Sequence, residues 1–290
     1  MSHSPNISAG FDLKSRLGFS EYSPAMKVGE VAAKCKQYGL AAYQISGDFS
    51  INFPENIDTG DRRAAADFNR SNNITLHFHA PGDIPMASRH QAIRYGGIDR
   101  LKEFIALAID LGAWSFIFHP GRFAFYKIST DKLVMAHKNI PEDYYKRFLD
   151  SALRVVDYAE GRIELLLENT YGFTEPVIEA IDKFLESPAT GLVWDIGHMV
   201  QQNKISSPNR PDSDSTAEFI SARLAHIKLA HIHDISGKKG HLALGTGILD
   251  IASFVEIISK LNIQMIIEVL SDKDLQTSLK YLESLTIKRH

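Results

Sequence analysis

Cysteine is almost missing from this chain: Cys35 stands alone among 290 residues. One thiol makes neither an internal disulfide framework nor a thiolate zinc knuckle. Long apolar runs are missing too, since no stretch approaches the roughly 20 residues that cross a bilayer. The opening MSHSPNISAGFDLK has no apolar stretch of the kind a secretory signal needs. Together these lead us to expect a cytoplasmic protein with no membrane partner. There is no surplus of basic charge: 32 Lys and Arg against 35 Asp and Glu leave −3. That balance argues against a strongly basic nucleic-acid platform. Neither GxGxxG nor GxxxxGK[ST] occurs, so nucleotide binding of those kinds has no support. Short repeats and low-complexity tracts are absent as well.

The residues that are present describe a large core. At 44% hydrophobic, the composition excludes general disorder. The length is generous for one ordinary domain and slightly short for two, but an α/β barrel fills it alone. Cys35 lies at helical spacing from Val28, Val31 and Ala32, which predicts core packing for its thiol.

Eight short apolar runs recur along the chain: 16–20, 40–46, 74–80, 115–119, 163–168, 191–195, 225–233 and 263–268. Several are apolar on consecutive positions, as strands buried on both faces are. Amphipathic stretches lie between them. In 98–112, Ile98, Leu101, Ile105 and Ala108 keep the helical period, and Gly112 reads as the stop. Pro141 with Glu142 and Asp143 reads as a first helical turn, followed by an apolar face of Phe148, Leu149, Ala152, Val156 and Ala159. Asp250 reads as an N-cap ahead of Ile251, Phe254, Val255 and Ile258. Strict alternation of strand and helix predicts a parallel sheet, and eight units predict a closed (β/α)8 TIM barrel spanning 1–290 as one domain. An open doubly wound sheet is the alternative. The polar stretch 201–216, with Pro208 and Pro211, reads as a loop inserted after strand six.

The chemistry sits at the strand ends. His79, His119, Glu168, Asp195 and Glu268 end their runs, and His231 lies near the end of its own. In a barrel of this kind the active site occupies that rim. Taken singly, each has an ordinary explanation: a hydrogen-bonded histidine, or a carboxylate paired with a buried base. Taken together, three carboxylates and three histidines on one rim would repel or go unsatisfied without cations, and a divalent metal resolves this. His77 and His233 share strand faces with His79 and His231, so each is open as ligand, substrate contact or supporting group. His198 and His241 join the rim from the following segments. Lys238, Lys239 and Arg122 are candidates for holding an anionic substrate, although surface cations are common.

The pieces His79-Ala-Pro, His119-Pro-Gly, Glu168-Asn-Thr, Asp195-x-x-His198, His231-x-x-Asp234, His241 ahead of Leu-Gly-x-Gly, and Glu268 resemble the xylose isomerase-like barrel superfamily. That superfamily holds sugar phosphate isomerases and epimerases, and the endonuclease IV type of apurinic/apyrimidinic endonucleases. The resemblance implies a metal site at Glu168, Asp195, His231 and Glu268, with Asp234 favouring His231 over His233. It implies a second metal position at His79, His119 and Glu168, as in the endonuclease branch. His198 and His241 resemble two of three ligands of that branch's third metal. The third ligand there is an aspartate two positions before the histidine, where this chain has Lys239.

Three functions follow as expectations. The first is a divalent-metal-dependent isomerase or epimerase of sugars or sugar phosphates, with Mn, Mg, Co or Zn as cofactor. Glu168 and Glu268 are its candidate catalytic proton carriers, and His79, His119, His198 and His241 its candidate substrate-binding residues. A hydride shift is the alternative to proton transfer. The second is a metal-dependent phosphodiesterase acting on abasic DNA. The net charge, Lys239 and the absence of a wedge residue in Ala-Pro-Gly82 speak against it. The third is a catalytically idle ligand-binding barrel, which a complete ligand set disfavours. The partner expected is a small carbohydrate-like substrate rather than nucleic acid; a homo-oligomer is compatible with the sequence.

Overall fold

The computed structural model describes residues 13–120, 125–129, 132–135, 140–170, 175–205, 215–237 and 239–287. Eight parallel strands close into a barrel: β1 (Leu17–Glu21), β2 (Ala42–Ser46), β3 (Thr75–His79), β4 (Ser115–Phe118), β5 (Glu164–Glu168), β6 (Thr190–Asp195), β7 (Ile227–Ile232) and β8 (Gln264–Ile267). β1 pairs with both β2 and β8, so the sheet has no edge, and every barrel pair is parallel. The closed (β/α)8 barrel replaces the open doubly wound alternative. All eight apolar runs coincide with a strand to within two residues at either end.

Helices wrap the barrel: α1 (Val28–Tyr38), α2 (Thr59–Asn72), α3 (Gln91–Asp110), α4 (Ile140–Ala159), α5 (Glu175–Leu185), α6 (Ile196–Ile205), α7 (Ser215–Ala222), α8 (Ile251–Leu261) and α9 (Asp272–Ile287). Asp250 caps α8 as its position predicts, accepting a hydrogen bond from the Ser253 backbone N–H. Cys35 is buried against β2, with its thiol 3.3 Å from the Ala42 carbonyl. No helix among the described residues is long and apolar enough to cross a membrane.

Three local expectations change. α3 begins at Gln91, seven residues before Ile98. Most of its first two turns face solvent, so they carry no apolar period, and Gly96-Gly97 reads as a breaker. The preceding loop packs closely on Gly97, where a Cβ would lie 3.2 Å from the Ile84 side chain. The expected loop 201–216 is helical at both ends, in α6 and α7, while Pro208 and Pro211 lie outside the described residues. The loops after β4 and β7 each carry an antiparallel hairpin, Phe125–Ser129 with Lys132–Met135 and Asp234–Ser236 with Lys239–Leu242.

Two layers inside the barrel position the site. Ala42, Ile117, Leu166, Val193, Leu229 and Ile266 form an apolar plug of their own, one residue from each of six strands. Gly18 completes it on β1, where a Cβ would lie 2.6 Å from both the Ala42 carbonyl oxygen and Ile266 Cδ1. Side chains alternate along a strand, so the position two residues on also faces inward. Those positions are Ser20, Gln44, His119, Glu168, Asp195, His231 and Glu268, with His79 two residues beyond His77 on β3. A dry floor of small and branched side chains therefore carries a polar layer at the C-terminal mouth.

Candidate metal centre

The polar layer draws together residues from most of the barrel. His79 Nε2 lies 3.1 Å from His119 Nε2 and 3.2 Å from Glu168 Oε2, and His119 Nε2 lies 3.3 Å from the same oxygen. His231 Nδ1 lies 3.3 Å from both Glu168 Oε2 and Glu268 Oε1. His198 Nδ1 lies 3.1 Å from Asp195 Oδ2 and 3.3 Å from Glu168 Oε1. His233 Nε2 lies 3.2 Å from Asp195 Oδ1. His241, on the second strand of its hairpin, sets Nδ1 3.2 Å from the Glu268 carbonyl oxygen. All eight residues singled out at the strand ends and in the following segments thus meet on one rim.

Three groups have ligand atoms close enough to share an ion: Glu168, Asp195 and His231; His79, His119 and Glu168; and His198, His233 and His241. Whether a cation suits them is decided by their hydrogen bonding. Asp195 Oδ2, His231 Nδ1 and His233 Nε2 are buried and have no hydrogen-bond partner. Their neighbours are near in distance but wrongly angled for donation. Polar atoms left bare in a sealed layer are costly, and a cation is the species that oxygen and imidazole lone pairs would jointly satisfy. The donor set fits: carboxylates with imidazole in the first group suit Mn, Mg, Co or Zn, and imidazole-rich groups favour Zn or Co.

The electrostatics tell the same story. Burial works to raise the Glu168 carboxyl, but the charges of His231 and His119, with ring N–H bonds from His119 and His198, hold it well below the usual carboxylate range. Asp195 is likewise held far down against its burial by His198 and His233. On the imidazole side, burial pulls His79 down, while its bond to Glu168 and the charges of Glu168 and Glu268 push it up to about 9. His198 goes up to about 12 against its burial because Asp195 and Glu168 face it. Burial wins at His119 and His241, which are lowered. Without a cation, protons serve as the positive charges of this cluster.

Supporting contacts fix the geometry. Asn169, next to Glu168, donates through Nδ2 to the Asp195 carbonyl at 2.9 Å and accepts from the Asp195 N–H at 2.8 Å. The two carboxylate-bearing strand ends are thereby tied together. The Asp234 carboxylate accepts four backbone N–H groups, from Ile235, Gly245, Gly247 and Leu249, at 2.8 to 3.1 Å. It anchors the loop that follows His241. A Cβ on Gly247 would lie 2.3 Å from Asp234 Oδ1, so glycine is required for that approach.

Several expectations are revised here. His77 is not at the rim: it sits on the floor side, its ring 2.8 Å from Ser115 Oγ and 2.9 Å from Gln264 Oε1, and burial lowers it to about 4. His231 and His233 both enter the centre, in different groups. His233 stands with His198 and His241, while Lys239 is exposed. Arg122 and Lys238 lie outside the described residues. Sequence reasoning missed Gln44, buried on β2 with contacts to both His231 and Glu268. Its signal was a long amide inside a strand buried on both faces, where a polar side chain needs a partner.

Comparison with known proteins gives the same outline. The family profile described as xylose isomerase-like TIM barrel matches residues 32–285. Among solved structures, a D-tagatose 3-epimerase-like protein superposes with a TM-score of 0.69 at 20% identity, covering 93% of this chain and 97% of its own. Endonuclease IV from Thermus thermophilus superposes at 0.68 with 17% identity, over 94% and 99%. The IOLI protein with a bound zinc atom superposes at 0.67 with 16% identity, over 95% and 99%. At these identities the likeness to the solved structures is one of fold.

Proposed function

The chain belongs to the xylose isomerase-like TIM barrel family, and from that premise we propose that it is a divalent-metal-dependent isomerase or epimerase of sugars or sugar phosphates. The observation that carries this reading is the approach of Glu168 and Glu268, from β5 and β8, to the same bare His231 nitrogen, each at 3.3 Å. With Asp195 they make a buried carboxylate-rich set at the barrel mouth. Glu168, Asp195, His231 and Glu268 would hold the ion, which when bound acts as a Lewis acid that polarises a substrate carbonyl. The epimerase-like structural neighbour supports the same class of chemistry.

The residues then divide the work. Glu168, held far below the usual carboxylate range, is ionised and available as a base at neutral pH. Glu268 approaches from a different direction, so the pair can carry a proton on either side of the carbon next to the carbonyl. His79 and His119 stand on one flank and His198 and His241 on the other, where their ring nitrogens can meet substrate hydroxyls or phosphate. Burial of Glu168, Asp195, His231 and Glu268 limits the access of bulk water to the proton transfer.

A second reading has its own observation. The His79–His119–Glu168 and His198–His233–His241 groups offer room for further ions, and clustered metals suit phosphodiester hydrolysis. The endonuclease IV neighbour supports it. The net charge of −3 and an imidazole in place of the acid in the third group weigh against it.

One experiment separates the readings: metal counting on the purified protein, with turnover of a ketose panel in D2O and incision of an abasic duplex. One ion with deuterium entering beside the carbonyl supports the isomerase or epimerase. Turnover without deuterium moves the mechanism to a hydride shift or a shielded proton. Three ions with salt-sensitive DNA binding and incision would replace the first reading with the second.

A further inference from the structure

Gln44 does no chemistry that the proposed reaction requires, yet it touches two of the residues that would hold the ion. It lies on β2 and is 1% exposed. Its Nε2 donates to Glu268 Oε1 at 2.7 Å and lies 3.2 Å from Ser20 Oγ. Its Oε1 lies 2.9 Å from His231 Nε2.

These contacts form a chain of forced choices. A carboxylate oxygen accepts, so it is the amide nitrogen of Gln44 that faces Glu268 Oε1. The amide oxygen is then left for His231, and an amide oxygen only accepts. His231 Nε2 must therefore carry the proton. With an ion bound the imidazole is neutral and has one N–H, so Nδ1 is left to offer its lone pair. Nδ1 is the nitrogen that is buried, bare of hydrogen bonds, and turned toward Glu168 and Glu268. We infer that Gln44 is the positioning residue of the centre: it sets the tautomer of His231 so that Nδ1 binds the ion, and it orients Glu268 through the same amide.

This rests on the metal reading above, and its consequence is specific. Gln44 stands 187 residues from His231 and 224 from Glu268 in the chain, and only barrel closure brings the three together. His233, two residues on, has no such amide at Nε2, which lies beside Asp195 instead. The two histidines thus differ in which nitrogen is without a hydrogen bond: Nδ1 in His231, and Nε2 in His233, whose Nδ1 accepts the His241 backbone N–H at 2.9 Å. A glutamine here also ties β2, which contributes no ligand, to β7 and β8, which do.

The test uses the full-length protein loaded with zinc and two substitutions. Gln44→Met keeps the length of the side chain and removes both hydrogen-bonding ends. Gln44→Glu keeps an oxygen for His231 and changes only the group facing Glu268. Zinc affinity is read by competition with a chelator, and the His231 ring by nitrogen-resolved NMR, assigned by its loss in His231→Ala. We expect Gln44→Met to bind zinc about 10- to 100-fold more weakly, the range for lost partners of a metal ligand. Its His231 Nε2–H signal should lose protection from exchange. In wild type and Gln44→Glu that signal should persist, with zinc on Nδ1. Wild-type-like affinity in Gln44→Met, or zinc on His231 Nε2 in wild type, would overturn the assignment. If Gln44→Met does not fold by circular dichroism, Gln44→Glu decides, since loss of the protected Nε2–H there contradicts the chain of choices. Wild-type protein that binds zinc no better than Asp195→Ala removes the metal reading itself, and this inference with it.

Discussion

Zinc entering the metal-free centre at pH 7 should drive protons into solution. The perturbation is the metal, and the magnitude comes from the histidines. His79 at about 9 and His198 at about 12 are both protonated at pH 7 in the metal-free protein. A metal-bound imidazole nitrogen must give up its proton. With zinc added in excess, so that the two flanking groups fill as well as the single-ion set of Glu168, Asp195, His231 and Glu268, these two residues alone release about two protons per molecule. While both remain to be displaced, apparent affinity should rise about 100-fold per pH unit, and less steeply above pH 9, where His79 is already neutral. The sign for stability runs the other way. His79 is raised above its unfolded value of 6.5, so its contribution is complete below pH 6.5 and is lost as pH rises through about 9. A shift of that size corresponds to about 3 kcal/mol. The metal-free protein should therefore weaken between pH 6.5 and 9, while the zinc-loaded protein strengthens. Calorimetric titration with zinc in buffers of different ionisation enthalpy counts the protons, and urea melts at several pH values read the stability. No proton release, with affinity flat from pH 6.5 to 9, would refute the reasoning.

Asp195→Ala and His231→Ala should each lose tightly bound metal while keeping the fold, because both side chains end in the rim layer; elemental analysis with circular dichroism checks this, and unchanged metal content would remove the site. Glu168→Gln and Glu268→Gln should each lower turnover of a responsive ketose by about 10²–10⁴-fold, the scale of a general acid–base group, plus any loss from weaker metal binding. His77 is lowered to about 4, so its contribution is present above pH 6.5 and lost as pH falls through 4; His77→Gln should flatten that part of the acid melting curve relative to wild type. Asp234→Ala leaves four backbone N–H groups without their acceptor and should cost on the order of 3 kcal/mol in urea denaturation, with a smaller loss in Asp234→Asn, which keeps one oxygen.

Much of the barrel was legible because its strands are buried on both faces. Runs such as Ile163–Glu168 and Gly191–Asp195 announce themselves by continuous hydrophobicity ending in a carboxylate, and both proved to be strands ending at the rim. The start of α3 was hidden because most residues of its first turns face solvent and two of them are glycines. The hairpin Asp234–Ser236 with Lys239–Leu242 was hidden because its strands are three and four residues long, too short for a period. His77 looked like a rim residue because it shares a strand face with His79. A strand rises about 3.3 Å per residue, and two residues suffice to move a side chain from the rim to the floor.

The sequence by itself determined which residues face inward and what they are. Period-2 alternation puts Leu166 and Glu168, Val193 and Asp195, and Ile266 and Glu268 on one face of their strands, whatever the strands later pair with. It could not determine which inward atoms meet. That depends on the stagger of each strand against its neighbour and on the closure of β1 onto β8, which are properties of the whole barrel. Only closure lays the Gln44 amide between His231 and Glu268, and sets His233 beside His198 and His241. Alternation is a local consequence of strand geometry, whereas the proton on one imidazole nitrogen is decided by a hydrogen bond from across the barrel.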